Sequence, residues 1–307
     1  MNRNTSPDRR AFIRQSLIAT VGLPFLHFAC NDMPQKSTNR YLDNIGLQLY
    51  TVRNQMAEDP RTTIQSLREI GYQQLELMDV QSMKQVLPLA KEAGLAVNGS
   101  FFNWNFLTGN WAMIGQEAPQ AYSFENVVED AKEAELSYLV FGYLTKGERG
   151  TIDDWKRLID LLNAAGEKCR SAGLQLAYHN HSFEFGSVEG KVPFEMLVEG
   201  LDPDLVKFEL DIFWASVGGY DPLQLINRLG KRIHLLHLKD KQKDVPVLYD
   251  EAEVPQEAFK ELGNGVVDIV ACMKAAEKFD VAHCHVEQDH SADPLKSVAQ
   301  SIQWLNA

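Results

Sequence analysis

The chain has 307 residues, of which 45% are hydrophobic and 23% are charged, so it can bury the core of one large α/β domain or of two small ones. Its formal net charge is −12, and an acidic protein repels phosphate backbones, which argues against a nucleic-acid partner. The four cysteines lack paired metal-ligand spacing, and we expect Cys169, Cys272 and Cys284 to be buried as small apolar residues.

Residues 1–30 have the layout of a bacterial twin-arginine signal peptide. Arg9 and Arg10 precede a short apolar run that ends at Ala29, and this run is too short to span a bilayer. Cys30 follows directly, which suggests a lipoprotein cleavage site with a lipid anchor at that cysteine. The sequence therefore predicts export to the periplasm, with membrane anchoring left open, then a linker at 31–43 and a folded domain at 44–307.

From residue 44 onward, short apolar runs alternate with segments of 3.6-residue periodicity. Eight strands are predicted, at 45–52, 74–80, 95–102, 137–144, 174–181, 206–214, 233–240 and 281–289. Several of the predicted helices end in glycine, at Gly71, Gly94 and Gly173, where a left-handed cap is expected. Eight strand-helix units predict a single-domain α/β fold, the closed (β/α)8 TIM barrel. A doubly wound open sheet is the alternative, but the Gly-rich turn usual after its first strand does not occur in the sequence.

The ends of the last four predicted strands carry the densest polar chemistry of the chain. The residues are His179 and His181 on strand five, Asp211 on strand six, His237 on strand seven and Glu287 on strand eight. Consecutive strands are neighbours in this barrel, so these side chains should converge at its carboxyl-terminal rim. The alternation of side chains along a strand is consistent with a shared inner face, whereas His234 falls on the opposite one.

Two imidazoles and two carboxylates are a suitable ligand set for Mn²⁺, Zn²⁺, Co²⁺ or Fe²⁺. We therefore predict a divalent metal cation as cofactor, held by His179, Asp211, His237 and Glu287. Burying two carboxylates without a cation would cost several kcal/mol or force a proton onto one of them. The alternative is that these are separate polar residues that satisfy loop backbone.

The chain resembles the xylose-isomerase-like TIM barrel superfamily, and within it the sugar phosphate isomerase/epimerase family. The motifs that carry the resemblance are "IGLQLYTVRNQMAEDPRTTI", "IGYQQLEL", "YHNHSFEF", "ELDIFWASVGGYDP", "HLLHLKD", "GNGVVD" and "HVEQDHSADPLKS". The resemblance implies a divalent metal at the barrel mouth, with Asp211, His237 and Glu287 at family ligand positions.

Two positions depart from the family pattern. His179 occupies the place of a metal-binding glutamate that serves as one of two acid/base carboxylates in the better-known sugar epimerases and related dehydratases. Trp214 replaces a substrate-binding histidine three residues after Asp211. Two-carboxylate proton shuttling therefore cannot be carried over, and the aromatic face of Trp214 predicts stacking on a larger sugar or a glycoside.

We predict the remaining roles from position and residue type. His181, Glu184 and Glu287 are candidate bases for a proton next to a metal-polarised carbonyl, and Lys239 is a candidate to stabilise an enolate oxygen. Glu76, at the end of strand two, is predicted to bind a sugar hydroxyl, or else to make a structural hydrogen bond at the rim.

We predict a carbohydrate isomerase or epimerase acting on a small-molecule carbohydrate substrate. Elimination from a keto-sugar or keto-glycoside by a lyase or dehydratase is the first alternative, because the same proton abstraction begins it. A non-catalytic carbohydrate-binding lipoprotein is the second. The sequence leaves open whether the barrel forms a homo-oligomer.

Overall fold

The computed structural model describes residues 39–307. The predicted signal peptide at 1–30 and the possible lipid site at Cys30 lie outside the described residues, so both stay predictions, as does most of the linker. The last part of the predicted linker belongs to the folded domain: Arg40–Asn44 is a 3₁₀ turn. The hydroxyl of Tyr41 donates a 2.7 Å hydrogen bond to the carbonyl of Val281. In the described part of the chain, no helix combines the length and the hydrophobicity needed to cross a membrane.

Eight parallel strands close into a barrel, as the sequence predicts, and two further short strands form a ribbon beside it. The strands in chain order are β1 Gly46–Gln48, β2 Gln74–Leu77, β3 Ala96–Phe102, β4 Tyr138–Phe141, β5 Gln175–His179, β6 Val206–Asp211, β7 Ile233–Leu238, β8 Asp240–Lys241, β9 Phe259–Lys260 and β10 His283–Val286. Barrel neighbours follow chain order from β1 to β7, and β10 closes the ring between β7 and β1. The single-domain TIM barrel is confirmed.

The helices surround the barrel and shield its outer face from water. They are α1 Arg53–Glu58, α2 Pro60–Ile70, α3 Met83–Ala93, α4 Asn105–Thr108, α5 Phe124–Glu133, α6 Ile152–Ala172, α7 Pro193–Gly200, α8 Ile212–Val217, α9 Pro222–Leu229, α10 Ile269–Lys278 and α11 Pro294–Leu305. The three predicted glycine caps, Gly71, Gly94 and Gly173, have positive φ values of 125°, 70° and 85°. Cys169, Cys272 and Cys284 are buried free thiols, as expected.

The sixth strand is shorter than the sequence predicts. It ends at Asp211 instead of continuing to residue 214, and helix α8 begins at Ile212. The carboxylate of Asp211 caps this helix by accepting a 2.8 Å hydrogen bond from the backbone N–H of Trp214. An apolar run such as "DIFW" fits either element by periodicity, and the capping aspartate decides in favour of the helix.

The "GNGVVD" segment is organised by one buried carboxylate. Asp240 accepts hydrogen bonds of 2.9 to 3.0 Å from the backbone N–H groups of Gly263, Gly265 and Val267. A Cβ atom at Gly265 would overlap the Asp240 carboxylate and the carbonyl oxygen of Lys241. This contact holds the segment against the ribbon of β8 and β9, which follows β7, the strand that carries His237.

We expect Gly265→Ala to destabilise the fold by roughly 1–3 kcal/mol, because the added methyl group must push apart the buried Asp240 contacts. Chemical denaturation measures the change in the free energy of unfolding. Gly150→Ala is the matched control, since a Cβ there meets no atom within 4 Å. Equal stability of the two variants would contradict this account of the segment.

Candidate metal and substrate site

A cavity of about 590 Å³ opens at the carboxyl-terminal ends of the barrel strands. Its polar lining comes from side chains at the ends of β1, β2, β5, β7 and β10 and from the loops that follow. Among the residues predicted for the site, those that line it are His179, His181, Trp214, Lys239 and Glu287. Five of the nine side chains predicted for the site therefore line one cavity.

The four predicted metal ligands form one compact cluster: His179 and Glu287 line this cavity, whereas Asp211 and His237 are fully buried behind them. One ligand atom from each of His179, Asp211, His237 and Glu287 lies within 4.8 Å of all the others. His179 Nε2 is 3.2 Å from His237 Nδ1 and 3.6 Å from Asp211 Oδ2. His237 Nδ1 is 2.9 Å from Glu287 Oε2. These separations bracket the roughly 3.3 Å between ligand atoms that surround one first-row cation at about 2.0 to 2.1 Å.

The chemistry of the cluster fits a cation. Asp211 Oδ2 and His179 Nδ1 make no hydrogen bond to any residue in 39–307 although both atoms are buried. Burial raises the pKa of Asp211 and lowers that of His179, so without a cation the site disfavours the charged form of each. Burial would also raise the pKa of Glu287, but Lys239 and His237 outweigh it and hold that pKa well below its usual range. Among the described residues, Lys239 supplies the one ammonium beside these two carboxylates, and a divalent ion would balance the second negative charge and give the imidazoles a ligand role.

Glu76 lies beneath the ligand cluster and does not line the cavity. Its Oε2 is 2.7 Å from His237 Nε2 and accepts a 2.8 Å hydrogen bond from the Gln48 amide. This arrangement is the structural hydrogen bond that the sequence left as the alternative to a sugar contact. It orients the His237 ring so that Nδ1 faces the predicted metal position.

Lys239 is almost completely buried next to the ligand cluster. Its ammonium lies 3.2 Å from Asp211 Oδ2 and 2.8 Å from Glu287 Oε2. It also donates a 2.9 Å hydrogen bond to Asp289, a cavity residue that sequence reasoning missed. Burial lowers the pKa of Lys239, but these three carboxyl groups together raise it well above its usual value. Lys239 is therefore a positively charged donor at the cavity wall.

His181 and Trp214 form an aromatic part of the cavity wall. Their ring centroids are 5.2 Å apart, and the ring of Tyr143 lies 5.5 Å from that of His181. Burial lowers the pKa of His181 to about 3, so its imidazole is neutral near pH 7. The wall can thus offer an apolar face and one neutral imidazole to a bound molecule.

Glu184 lies behind this wall, not among the residues that line the cavity. It accepts a 2.8 Å hydrogen bond from the Tyr178 hydroxyl and a 2.9 Å bond from the backbone N–H of His181. Burial raises the pKa of Glu184 to about 7. In this position Glu184 supports the loop that carries His181.

Two supporting features escaped the sequence analysis. Asn180 links β5 to β6: its side chain accepts a 3.0 Å hydrogen bond from the Asp211 N–H and donates one of 3.2 Å to the Asp211 carbonyl. At the rim, Glu251 accepts hydrogen bonds from the Tyr143 hydroxyl at 2.8 Å and from Arg149 at 2.7 Å. An asparagine between two histidines was visible in the sequence, but the Glu251 contacts depend on how two distant loops meet.

The chain belongs to the xylose isomerase-like TIM barrel family, whose model matches residues 64–307. This confirms the resemblance found in the sequence. A curated relative, the inosose dehydratase of Geobacillus kaustophilus (strain HTA426), is 35% identical over 129 residues. That alignment covers 40% of this chain and 41% of the relative, so the chain spans about two fifths of that protein.

Solved structures share the fold at lower sequence identity. A sugar phosphate isomerase/epimerase from Parabacteroides distasonis ATCC 8503 superposes with a TM-score of 0.69 at 23% identity, covering 88% of this chain and 96% of that one. The IOLI protein, solved with a binding zinc atom, gives a TM-score of 0.62 at 17% identity, covering 85% and 96%. At these identities the similarity establishes the barrel.

We expect a divalent ion to stabilise the chelator-treated protein against heat. Saturating Mn²⁺, Zn²⁺ or Co²⁺ should raise Tm by about 5 °C or more, because the ion binds the folded state selectively. Asp211→Asn should show a clearly smaller rise, since its amide can still cap α8 but is a poor metal ligand. Thermal denaturation with and without the ion measures both. Equal shifts in the two proteins would contradict the assignment of Asp211.

The buried carboxyl of Glu184 predicts a pH dependence of stability. Its pKa is raised on folding, so the stability that it contributes is fully present below about pH 4.5 and is lost as pH rises to about 7, by up to roughly 3 kcal/mol. Glu184→Gln keeps a donor and an acceptor and does not titrate, so its free energy of unfolding should fall less over this range. Denaturant titrations at several pH values measure the difference. The exposed Glu117→Gln serves as control and should follow the wild type.

Proposed function

We propose that this protein is a divalent-metal-dependent enzyme that removes a proton from the carbon next to the carbonyl of a cyclic keto-sugar or keto-polyol. The observation that carries the proposal is the ligand cluster at the floor of the cavity, with the charged Lys239 and Asp289 beside it. His179, Asp211, His237 and Glu287 would hold the ion. When bound, it would supply Lewis acidity toward a carbonyl or hydroxyl oxygen.

Side chains beside the predicted metal site would stabilise developing charge and transfer the proton. The ammonium of Lys239 can donate a hydrogen bond to an oxygen that gains negative charge as the C–H proton leaves. Burial raises the pKa of Asp289 to about 7, which suits a carboxyl group that must take up and release a proton near neutral pH. Asp289 adds to the candidate bases predicted from the sequence. Of these, His181 and Glu287 line the cavity, whereas Glu184 does not.

The wall of Trp214, His181 and Tyr143 supports a ring-shaped polyol as the substrate class. A sugar or inositol ring has an apolar C–H face that packs on aromatic rings, while its hydroxyl groups need polar partners. Gln48, Asp79 and Asn103 line the same cavity and offer such partners. Its volume of about 590 Å³ accommodates a monosaccharide ring with a further substituent.

We propose elimination as the outcome of the proton abstraction. Asp289 takes the proton, a carbon–carbon double bond forms, and the oxygen substituent on the β-carbon leaves with the proton that Asp289 gives back, while the Lys239 ammonium stabilises the enolate oxygen. The products are an unsaturated ketone and water or an alcohol. Two considerations favour this course over the predicted isomerisation: the curated relative is named a dehydratase, and the pKa of Asp289, about 7, suits a group that passes a proton to the departing oxygen.

Epimerisation or isomerisation is the second candidate, since it shares the first step and differs only in where the proton returns. Incubation of the metal-loaded protein in D₂O with inosose and with keto-glycosides distinguishes the outcomes. Elimination predicts an unsaturated ketone detected by mass spectrometry and ultraviolet absorption. Deuterium uptake without loss of the oxygen substituent would establish the second candidate, and the absence of exchange from all ketones tested would favour a carbohydrate-binding protein.

We expect Lys239→Met to lower the rate of product formation by about 100-fold or more, because the variant lacks the ammonium that stabilises the oxygen gaining negative charge. Its metal content should not fall, since loss of an ammonium makes the neighbouring carboxylates no less attractive to a cation. Lys241→Met is the matched control: Lys241 donates a 3.0 Å hydrogen bond to the carbonyl of Ser216 and lies outside the cavity lining. Similar rates for both variants would exclude Lys239 from the reaction.

A further inference from the structure

A second cluster of polar side chains lies deeper in the barrel, below the predicted metal ligands. It consists of Glu76, Glu209, His237 and His285, all of them buried and none exposed by more than 1%. Glu76, Glu209 and His285 do not line the cavity. The two clusters share His237, whose Nδ1 faces the upper cluster and whose Nε2 faces the lower one.

The lower cluster has the dimensions of a four-coordinate metal site. Its four ligand atoms lie within 4.8 Å of one another. His237 Nε2 is 2.7 Å from Glu76 Oε2 and 3.3 Å from Glu209 Oε1. His285 Nδ1 is 3.8 Å from the same Glu76 oxygen and 3.9 Å from the same Glu209 oxygen. Tetrahedral Zn²⁺ with bonds of about 2.0 to 2.1 Å requires ligand atoms roughly 3.3 Å apart, which lies between these values.

Unpaired polar atoms point to a missing partner in this cluster. Both carboxylate oxygens of Glu209 and both ring nitrogens of His285 make no hydrogen bond to any part of the chain that the structure describes. A buried polar group without a partner costs about 1–3 kcal/mol, and more when it is charged. Two of these atoms, Glu209 Oε1 and His285 Nδ1, lie 3.9 Å apart within the cluster, so leaving both without a ligand is costly.

The charge balance supports a cation more than a shared proton. A proton shared by the carboxyl groups of Glu76 and Glu209 would remove one negative charge but would leave both nitrogens of His285 unpaired. A divalent cation would neutralise both carboxylates and also use a lone pair of His285.

A backbone feature makes room for this arrangement. Gly46 on β1 lies beside the His285 ring, and a Cβ atom at that position would overlap the ring carbon Cδ2. Gly99 on β3 faces Glu76, where an added Cβ would lie 3.5 Å from Oε1. Glycine on two strands thus leaves the interior of the barrel open where a packed aliphatic layer is usual.

We propose that the lower cluster binds a second divalent cation of the Zn²⁺ class, held by Glu76, Glu209, His285 and the Nε2 atom of His237. The site is closed to the cavity, so its ion is structural: it fixes the ring of His237 and balances the buried carboxylates. His237 would hold this ion through Nε2 in its deprotonated form and would offer Nδ1 to the upper site. The inference concerns a second ion and does not depend on which sugar reaction the upper site performs.

The test is the number of zinc ions per chain in protein produced in zinc-supplemented medium, desalted and analysed by mass spectrometry. Wild type should hold two ions. Glu209→Gln is nearly isosteric and should hold one, in the upper site, whereas Asp211→Asn should hold one, in the lower site. His237→Gln, which alters the shared ligand, should hold fewer than one.

An unchanged zinc count in Glu209→Gln relative to the wild type would overturn the proposal in favour of a proton shared between Glu76 and Glu209. If Glu209→Gln does not fold, anomalous scattering from wild-type crystals decides the question. Peaks on both sides of the His237 ring support the second ion, and a peak only between His179 and Glu287 rules it out. A peak in the lower cluster alone would support the ion proposed here and would contradict the metal site predicted at His179, Asp211, His237 and Glu287.

Discussion

Charge balance inside the barrel is the constraint on which the rest of the structure depends. At the carboxyl-terminal end of the barrel, Glu76, Glu209, Asp211 and Glu287 are buried, and a fifth carboxyl group, that of Asp289, lines the cavity. One buried ammonium, from Lys239, lies among the upper three. An unpaired buried charge costs several kcal/mol, so this end of the barrel is stable only if protons or cations offset the excess. A metal site satisfies that requirement and supplies chemistry at the same place.

The fold turns this constraint into a functional geometry. The parallel strands place their last residues side by side, in chain order, around the mouth of the barrel. The hydrogen bonds between the Asn180 side chain and the Asp211 backbone fix the end of β6. Asp211 has two tasks: one oxygen caps α8, and the other faces the predicted ion. Trp214 lies in the same helix, so the position of the aromatic wall depends on Asp211, which is also a predicted metal ligand. The predicted metal ligand Asp211 and the predicted stacking residue Trp214 are therefore joined by the first turn of α8.

Much of this could be read from the sequence. Strand count, glycine caps and the alternation along strands predict the barrel and bring His179, Asp211, His237 and Glu287 to one rim. Hydrophobic periodicity does not predict that β6 ends at Asp211 and α8 begins at Ile212. The segment "DIFW" fits a strand or a helix until the capping role of Asp211 is known.

The contacts that sequence reasoning missed are those between distant segments. Asp289 pairs with Lys239 because β7 and β10 are adjacent, and Glu251 reaches Arg149 across two loops. Glu76 was predicted to bind a sugar hydroxyl or to make a structural hydrogen bond; it lies below the rim, with Oε2 2.7 Å from His237 Nε2. Its depth depends on strand register, including a shift between β2 and β3 that leaves Asn98 without a paired residue on β2, which a single sequence does not reveal.

The central claim is that side chains of β5, β6, β7 and β10 gather one catalytic cation at the barrel mouth. Elemental analysis of the untreated protein, purified without chelators, tests it most directly when wild type and Asp211→Asn are measured side by side. The account predicts a first-row divalent metal in the wild type and a loss of about one ion per chain in the variant. A wild-type protein that is folded, free of such metal and unable to bind it from solution would contradict the account.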